Sequence, residues 1–260
     1  MAPLLKLQGV TKRFGGLVAI QNVSFTVDQG NVFGLIGPNG AGKTTLFNCV
    51  TGLLRPESGS IHFGLPQSES LAGLSPDQIV QYGIARTFQN IRLFTAMSVL
   101  ENVVVGTFIR THAGIWSAML RTAEARREEH WAHERAYGLL ELLELSQYAD
   151  KKAGSLPFGL QRRLEIARAL ASDPSLLLLD EPAAGLNPVE KQELVALIFK
   201  LKNQGLTLLV IEHDMRVIMP ISDRVVVLDY GEKIAEDVPV RIQENPKVIE
   251  AYLGSANACH

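Results

Sequence analysis

One short stretch constrains the fold of this chain more than any other. Residues 31–45 read NVFGLIGPNGAGKTT, an apolar run followed by a glycine-rich segment that fits the pattern G-x-x-x-x-G-K-[ST] from Gly37 to Thr44. A helix-like segment, LFNCVTGLL, follows Thr45. Strand, glycine-rich loop and helix in that order form the context in which this pattern binds phosphate. The sequence therefore predicts a phosphate-binding loop.

Each residue type in this loop has a physical reason to be there. Glycines let successive N–H groups point inward at phosphate oxygens, and the following helix adds its positive N-terminal end. We expect Lys43 to reach the outer phosphates and the Thr44 hydroxyl to ligate Mg²⁺. The residues predicted to bind nucleotide in this loop are Gly37, Pro38, Asn39, Gly40, Ala41, Gly42, Lys43, Thr44 and Thr45.

The strand patterns predict an α/β fold. Leu176–Leu179, Leu206–Ile211 and Val225–Leu228 are continuous apolar runs that alternate with helical segments, which is typical of a parallel sheet covered on both faces. Leu4–Val10 and Val23–Val27 instead alternate in polarity, which is typical of a sheet with one solvated face. We expect a parallel core sheet and a separate β-rich part at the N-terminus.

A helical region interrupts this pattern from about Thr95 to Ala149. Ser98 and Glu101 have the spacing of a capping box, which marks the start of a helix. Thr122–Leu145 is rich in Ala, Arg, Glu and Leu, with opposite charges three and four residues apart. The sequence predicts a helical subdomain inserted into the α/β core.

Four polar residues fall at or just past the ends of predicted strands, namely Gln89, Asp180, Glu181 and His213. Ligands of parallel sheets lie beyond the carboxyl ends of the strands. Asp180 is expected to hold Mg²⁺ directly or through water, and Glu181 to polarise a water molecule. His213 can bond the terminal phosphate or that water, and Gln89 can bridge Mg²⁺ and water. Taken singly, each also has a structural explanation, as a loop residue or a strand-end histidine.

Phe14 is a further candidate for nucleotide binding. Phe14 precedes Gly15-Gly16 in a predicted loop, where it can stack on a nucleotide base or face the core.

A formal net charge of −2 gives no electrostatic case for binding nucleic acid. Cys49 and Cys259 fit a reducing cytoplasm, and no apolar run approaches the length of a bilayer span. The chain can still dock onto a membrane protein.

Together these motifs resemble the ATP-hydrolysing subunit of ABC transporters over essentially the whole chain. The matching stretches are GPNGAGKTT, TFQN, LLLLDEP, AAGLNP and the histidine of IEHDM. The resemblance implies a P-loop NTPase fold of the RecA-like type, with a parallel sheet core, an antiparallel β subdomain and an inserted helical subdomain. It implies a single ABC ATPase domain over residues 1–240, the helical subdomain over about 91–172, and a C-terminal helix and tail over 241–260.

The resemblance also implies roles for individual residues. Glu181, His213 and Gln89 match the catalytic residues, and Phe14 matches the aromatic that stacks on the base. ATP and Mg²⁺ are the implied cofactors, with the metal held by Thr44, Gln89 and Asp180. Two such subunits clamp two ATP molecules head to tail, and each site is completed by the partner's signature loop. Gly159 lies in that loop and is therefore assigned to nucleotide binding.

Within the family, the stretches LFTAMSVLENV, LEIARAL, EPAAGLNP, IEHDM and NPKVIEAYLG look most like the subunit of branched-chain amino-acid importers. The implied partners are a second ATPase subunit in a homodimer or heterodimer, transmembrane permease subunits and, indirectly, a solute-binding protein. No nucleic-acid partner is implied. The implied location is peripheral, on the cytoplasmic face of the inner membrane. Alternatives are the ATPase of a lipopolysaccharide exporter, a soluble ABC-type ATPase acting on DNA or ribosomes, and a P-loop kinase or G protein.

One departure from the family pattern concerns the signature loop. The usual Leu-Ser-Gly-Gly-Gln reads Leu156-Pro157-Phe158-Gly159-Leu160 here, so only Leu156 and Gly159 match. Pro157 offers neither a hydroxyl nor an N–H, and the side chain of Leu160 cannot form hydrogen bonds. The sequence therefore predicts weakened phosphate recognition across the dimer.

Overall fold

Two β-sheets, one antiparallel and one largely parallel, organise the chain in the computed structural model, which describes residues 3–64, 68–110 and 123–256. The strands are β1 (Pro3–Phe14), β2 (Leu17–Asp28), β3 (Val32–Ile36), β4 (Ser58–Phe63), β5 (Glu69–Ser70), β6 (Ile84–Arg86), β7 (Leu176–Asp180), β8 (Thr207–Ile211), β9 (Arg224–Asp229) and β10 (Glu232–Asp237). The α-helices are α1 (Lys43–Val50), α2 (Pro76–Gln81), α3 (Val99–Thr107), α4 (Ala123–Leu142), α5 (Phe158–Leu170), α6 (Pro188–Asn203), α7 (Met215–Ile221), α8 (Pro239–Gln243) and α9 (Pro246–Ala256).

The core sheet has the strand order β10-β9-β3-β8-β7-β6, and all its pairings are parallel except that of β9 with β10. Successive side chains of a strand point to opposite faces. In β7, Leu177 and Leu179 join one hydrophobic cluster, whereas Leu176 and Leu178 join another on the opposite face. Burial on both faces explains the continuous apolar runs and confirms the predicted parallel sheet.

The antiparallel sheet has the order β2-β1-β4-β5. We expected a loop between strands ending at Val10 and starting at Val23, and that expectation is wrong. The β1–β2 pairing continues to the pair Phe14 and Leu17. The intervening Gly15-Gly16 turn, with Gly15 at φ +58°, is short enough for the two strands to remain paired to their ends. Phe14 is therefore the last residue of β1.

The inserted helical part consists of α3, α4 and α5, which share one hydrophobic cluster with the core sheet. The capping box at the start of α3 is confirmed. Ser98 Oγ accepts a hydrogen bond from the Glu101 amide at 3.1 Å, and the Glu101 carboxylate accepts one from the Ser98 amide at 2.7 Å. Residues 111–122 of the predicted helical segment lie outside the described residues.

The last part of the chain returns to the core sheet. The predicted tail helix is present as α9, and its Val248 is buried in the same cluster as Ile242 of α8. Within residues 3–64, 68–110 and 123–256, no helix has both the length and the apolar character needed to cross a bilayer.

Candidate functional site

The glycine-rich loop between β3 and α1 is tightly packed against neighbouring backbone. Gly42 precedes α1 at φ +97°, and a Cβ atom there would lie 2.4 Å from the carbonyl oxygen of Ala19. A Cβ atom at Gly37, at φ +149°, would lie 2.1 Å from the carbonyl oxygen of Leu228. Only glycine fits these positions, because a side chain would collide with backbone from β2 and β9. The fold therefore fixes the shape of the loop.

Lys43 is the first residue of α1, directly after this loop, and is largely buried. Its Nζ atom donates to the carbonyl oxygens of Gly37 at 2.7 Å and Pro38 at 2.9 Å. Burial lowers the pKa of Lys43 below its usual value, while the carboxylates of Glu181 and Asp180 act in the opposite direction. The ammonium group is thus held at the loop with two carboxylates close by. Thr44, next along the chain, is exposed.

The structure brings the three predicted catalytic residues together. Gln89 Nε2 donates to Glu181 Oε2 at 2.8 Å, and His213 Nδ1 lies 3.8 Å from the same oxygen. Gln89 follows β6, Glu181 follows β7 and His213 follows β8, so they meet at one edge of the core sheet. A carboxylate flanked by an amide and an imidazole can accept a proton from water and orient it. The catalytic roles of all three remain predictions.

The backbone at Glu181 has an unusual conformation. Its φ is +48°, in the left-handed region that residues other than glycine seldom occupy. Its amide donates to the carbonyl oxygen of Ile211 at 2.9 Å, which ties the end of β7 to β8. Asp180 is almost fully buried, whereas Glu181 is partly exposed. The adjacent carboxylates of Asp180 and Glu181 therefore have different environments. The left-handed backbone at Glu181 is strained, and such strained residues are often found at functional sites.

Asp180 has a partner that our sequence reasoning missed. Arg86 Nη2 donates to Asp180 Oδ2 at 2.7 Å, and Arg86 Nη1 donates to Asn48 Oδ1 at 2.7 Å. The guanidinium lies 5.4 Å from the ring centroid of Phe47 and 5.2 Å from that of Phe88. The sequence feature that could have indicated this ion pair is an arginine at the end of a buried strand, because a buried charge is costly unless it is paired.

Glu212 is a second residue that sequence reasoning missed. It is fully buried, and burial raises its pKa while surrounding backbone amides lower it. Its carboxylate accepts from the amides of Ala183 at 2.7 Å, His213 at 3.1 Å and Asp214 at 3.4 Å. Glu212 thereby joins the loop after Glu181 to the loop that carries His213. A carboxylate directly after a buried strand was the signal for this role.

Tyr252 of α9 approaches the phosphate-binding loop from the end of the chain. Its hydroxyl oxygen is buried. Burial raises the pKa of Tyr252 to about 12, and the nearby backbone of Gly37 acts in the opposite direction. The C-terminal helix therefore approaches the first glycine of the loop, Gly37, through Tyr252. No local pattern in the sequence indicated this contact.

Two further residues predicted to bind nucleotide, Phe14 and Gly159, lie at the end of β1 and the start of α5. Phe14 is about half exposed at the end of β1, and Lys12 Nζ lies 5.5 Å from its ring centroid. Gly159 is buried in the first turn of α5, where a Cβ atom would lie 2.6 Å from Glu190 Oε1. Phe14 therefore lies near Lys12 and pairs with Leu17, and Gly159 packs close to the Glu190 side chain. Their roles in nucleotide binding stay predictions.

The residues predicted to hold Mg²⁺ have suitable donor atoms. Thr44, Gln89 and Asp180 supply hydroxyl, amide and carboxylate oxygens, which are the hard ligands that Mg²⁺ takes. The described residues contain no group of three or more His, Cys, Asp or Glu side chains arranged to hold a metal. A magnesium ion bound through one or two protein oxygens and substrate phosphates needs no such group.

Comparison with known proteins agrees with this geometry. Residues 20–184 match the family model described as ABC transporter, and residues 232–258 match one described as branched-chain amino acid ATP-binding cassette transporter. The chain is 46% identical to the high-affinity branched-chain amino acid transport ATP-binding protein BraF of Pseudomonas aeruginosa and 47% identical to LivG of Escherichia coli K12, a protein of the same description. Each alignment covers 98% of this chain and 99% of the relative.

Solved structures lead to the same family. The ADP conformation of MJ1267, an ATP-binding cassette of an ABC transporter, has a TM-score of 0.84 and 34% identity, covering 98% of this chain and all of that one. A dimeric post-hydrolysis cassette, MJ0796 bound to ADP and Pi, has a TM-score of 0.75 and 27% identity, covering 90% of this chain and 98% of that one. With its glycine-rich loop, its two sheets, the family match over residues 20–184 and relatives aligned over nearly its whole length, the chain belongs to the ABC transporter family of ATP-binding cassettes.

Proposed function

We propose that this chain is the ATP-binding and ATP-hydrolysing subunit that powers a membrane importer of branched-chain amino acids. The observation that carries the proposal is the 46–47% identity, over nearly the whole chain, to ATP-binding proteins of that transport class. The separate match of residues 232–258 to a branched-chain amino acid cassette model supports the same solute class.

In the proposed reaction, Lys43 and the amides of the glycine-rich loop bind the phosphates of ATP. Glu181 accepts a proton from the attacking water, and Gln89 and His213 orient the Glu181 carboxylate and that water. Thr44, Gln89 and Asp180 would hold Mg²⁺, which when bound neutralises phosphate charge. Phe14 stacks on the adenine, and Gly159 contributes backbone to the ATP held by the partner subunit.

We further propose the domain limits and the assembly. Residues 1–240 form one ABC ATPase domain with the helical subdomain inserted over about 91–172, and residues 241–260 form a C-terminal helix and tail. Two ATPase subunits, identical or different, associate with transmembrane permease subunits that receive solute from a binding protein. The chain then lies on the cytoplasmic face of the inner membrane as a peripheral subunit. The dimeric MJ0796 cassette supports the pairing of subunits.

We expect the helical part and the loop after Gln89 to contact the permease subunits. A groove lies there between β6, α3 and α5, and Arg92, Phe94 and Arg168 are among its lining residues. Phe94 is 47% exposed, which leaves an aromatic side chain available to a partner. Co-purification from detergent-solubilised membranes, with mass spectrometry of the captured chains, should identify permease subunits of a branched-chain amino-acid transporter.

Two single-cysteine variants, a test and a control, show by crosslinking where the permease subunits contact this chain. Phe94→Cys should crosslink to a permease subunit, whereas the control Leu17→Cys, at the start of β2 and more exposed than Phe94, should not. Leu17 is 69% exposed, so its failure to react would not result from burial. Crosslinks that form at Leu17 and not at Phe94 would refute this docking surface.

We expect Pro157→Ser to tighten ATP-dependent dimerisation. Pro157 is exposed and precedes α5 with φ −53° and ψ 152°, an extended conformation in which serine readily caps a helix. The added hydroxyl can donate to the terminal phosphate of the partner's ATP. A hydrogen bond to a charged group is worth about 1.5–3 kcal/mol, so the dimer dissociation constant should fall about tenfold to a hundredfold. Analytical ultracentrifugation in a Glu181→Gln background, where hydrolysis is blocked, measures the constant.

Pro157→Ala is the matched control for this substitution. It loosens the backbone as serine does but adds no hydroxyl. Only the serine variant should therefore tighten the dimer. Equal constants for the proline, alanine and serine forms would mean that the loop reaches phosphate by another geometry.

A further inference from the structure

A buried ion pair on α5 faces the loop that carries Gln89. Arg162 Nη1 donates to Glu165 Oε2 at 2.7 Å, and the two side chains are only 1% and 2% exposed. They lie three residues apart, on one face of the helix. Burying two charges is costly unless close geometry and further hydrogen bonds offset the loss of water.

The further hydrogen bonds all go to the backbone of residues 88–92, which we call the glutamine loop. Arg162 Nη1 donates to the carbonyl oxygen of Phe88 at 2.8 Å, and Arg162 Nη2 donates to that of Gln89 at 2.8 Å. Glu165 Oε1 accepts from the amides of Phe88 at 3.4 Å and Arg92 at 3.3 Å. The pair therefore holds both carbonyls and amides of residues 88–92 against α5.

We propose that Arg162 is a positioning residue for ATP hydrolysis, which together with Glu165 fixes the glutamine loop to α5 so that Gln89 stays within reach of Glu181. This inference rests on the proposed ATPase function. Arg162 bonds the backbone of Gln89 itself, and the side chain of Gln89 donates to Glu181 Oε2 at 2.8 Å. Arg162 therefore acts on the reacting groups only through Gln89.

Arginine is needed for this arrangement because of its shape. Its planar guanidinium presents several donors in a rigid fork, so that two nitrogens reach two successive carbonyl groups and a carboxylate together. Lysine carries the same charge on a single nitrogen and cannot reproduce that geometry. Arg162→Lys therefore keeps the buried pair charged while releasing part of the loop.

We expect Arg162→Lys to lower kcat for ATP hydrolysis about tenfold to a hundredfold, because misplacing a catalytic group by about 1 Å has an effect of that size. ATP affinity, measured with a fluorescent nucleotide analogue, should stay within about twofold of that of the unaltered protein. The reason is that the hydrogen bonds of Arg162 go to Phe88, Gln89 and Glu165 and not to the phosphate-binding loop. Arg163→Lys is the matched control. Arg163 is next along α5 and bonds surface carboxylates of Glu144 and Glu193.

A double-mutant cycle separates positioning from a merely structural role. If Arg162 acts through Gln89, Arg162→Lys should lower kcat by less than about twofold in a Gln89→Ala background. Losses that multiply in the double variant would overturn the proposal. Should Arg162→Lys fold poorly, the pair Arg162→Met with Glu165→Gln removes both charges together and avoids leaving one unpaired. That pair should show the same loss of kcat, and unchanged kcat would also overturn the proposal.

A second readout does not depend on activity. Hydrogen exchange at the amides of residues 88–92 should become faster in Arg162→Lys and remain unchanged in Arg163→Lys. Unchanged exchange in Arg162→Lys would overturn the positioning role even if the kcat of that variant falls. An unaltered protein that hydrolyses no ATP would instead contradict the proposed function, and the exchange measurement would still decide whether Arg162 fixes the loop.

Discussion

Replacing Lys43 with alanine should abolish ATP hydrolysis. In the proposed reaction Lys43 supplies positive charge to the outer phosphates, and positioning with electrostatic stabilisation supplies most of the catalysis in phosphoryl transfer. Its ammonium is already held at the loop by the carbonyl oxygens of Gly37 and Pro38. Little side-chain ordering is therefore required when phosphate binds. Steady-state release of inorganic phosphate measures the effect.

The loop itself should survive this substitution, because its shape depends on the close packing of Gly37 and Gly42 against neighbouring backbone. Circular dichroism and the melting temperature should therefore stay near those of the unaltered protein. Lys200→Ala is the matched control, since exposed Lys200 bonds the carbonyl oxygen of Leu142 in the helical part. Normal turnover by Lys43→Ala would contradict the assignment of the phosphate-binding loop.

Replacing Glu181 with glutamine should lower hydrolysis by about 10²–10⁴-fold, the usual contribution of a general base. Glutamine has the same size and can still accept a hydrogen bond from Gln89, but it cannot take a proton from water. ATP binding should persist, because Lys43 and the loop amides are unchanged. Single-turnover hydrolysis and nucleotide affinity, measured on the same preparation, separate the two effects.

The same substitution should accumulate an ATP-bound dimer, since hydrolysis no longer opens the closed state. Size-exclusion chromatography with and without ATP detects it. Glu193→Gln serves as the control, because Glu193 lies on the surface and pairs with Arg163. Surface pairs of this kind contribute little to stability. A Glu181→Gln protein that binds ATP yet stays monomeric at high concentration would argue against the two-subunit clamp.

The elements predicted correctly from the sequence are those specified by neighbouring residues. The capping box of Ser98 and Glu101 and the strand–loop–helix around Lys43 are local patterns, and the structure contains both. The parallel sheet followed from the apolar runs, because a strand buried on both faces cannot alternate in polarity. Even within a local pattern the limits were missed at Phe14, where the pairing across a two-residue turn extended both strands.

The contacts that escaped prediction join residues far apart in the sequence. Arg86 and Asp180 are brought together by the parallel pairing of β6 with β7. Tyr252 reaches Gly37 only because α9 returns to the core sheet. From composition and periodicity one can predict that a buried charge is paired, but not which distant residue is its partner. Strand-end position and family resemblance both pointed to Gln89 and His213. Only the folded chain shows that Arg86 pairs with Asp180 and that Glu212 accepts a hydrogen bond from the His213 amide.

The pairing of β3 has a consequence for how the protein is made. β3 carries the phosphate-binding loop, yet its sheet neighbours β8 and β9 span residues 207–229. At a synthesis rate of about 5–20 residues per second, the loop leaves the ribosome roughly ten to forty seconds before both neighbours exist. During that interval β3 has unpaired edges, which are the part of a sheet that pairs with other chains in aggregation. ATP can therefore stabilise only a nearly finished polypeptide, and interrupted synthesis leaves fragments without a nucleotide site.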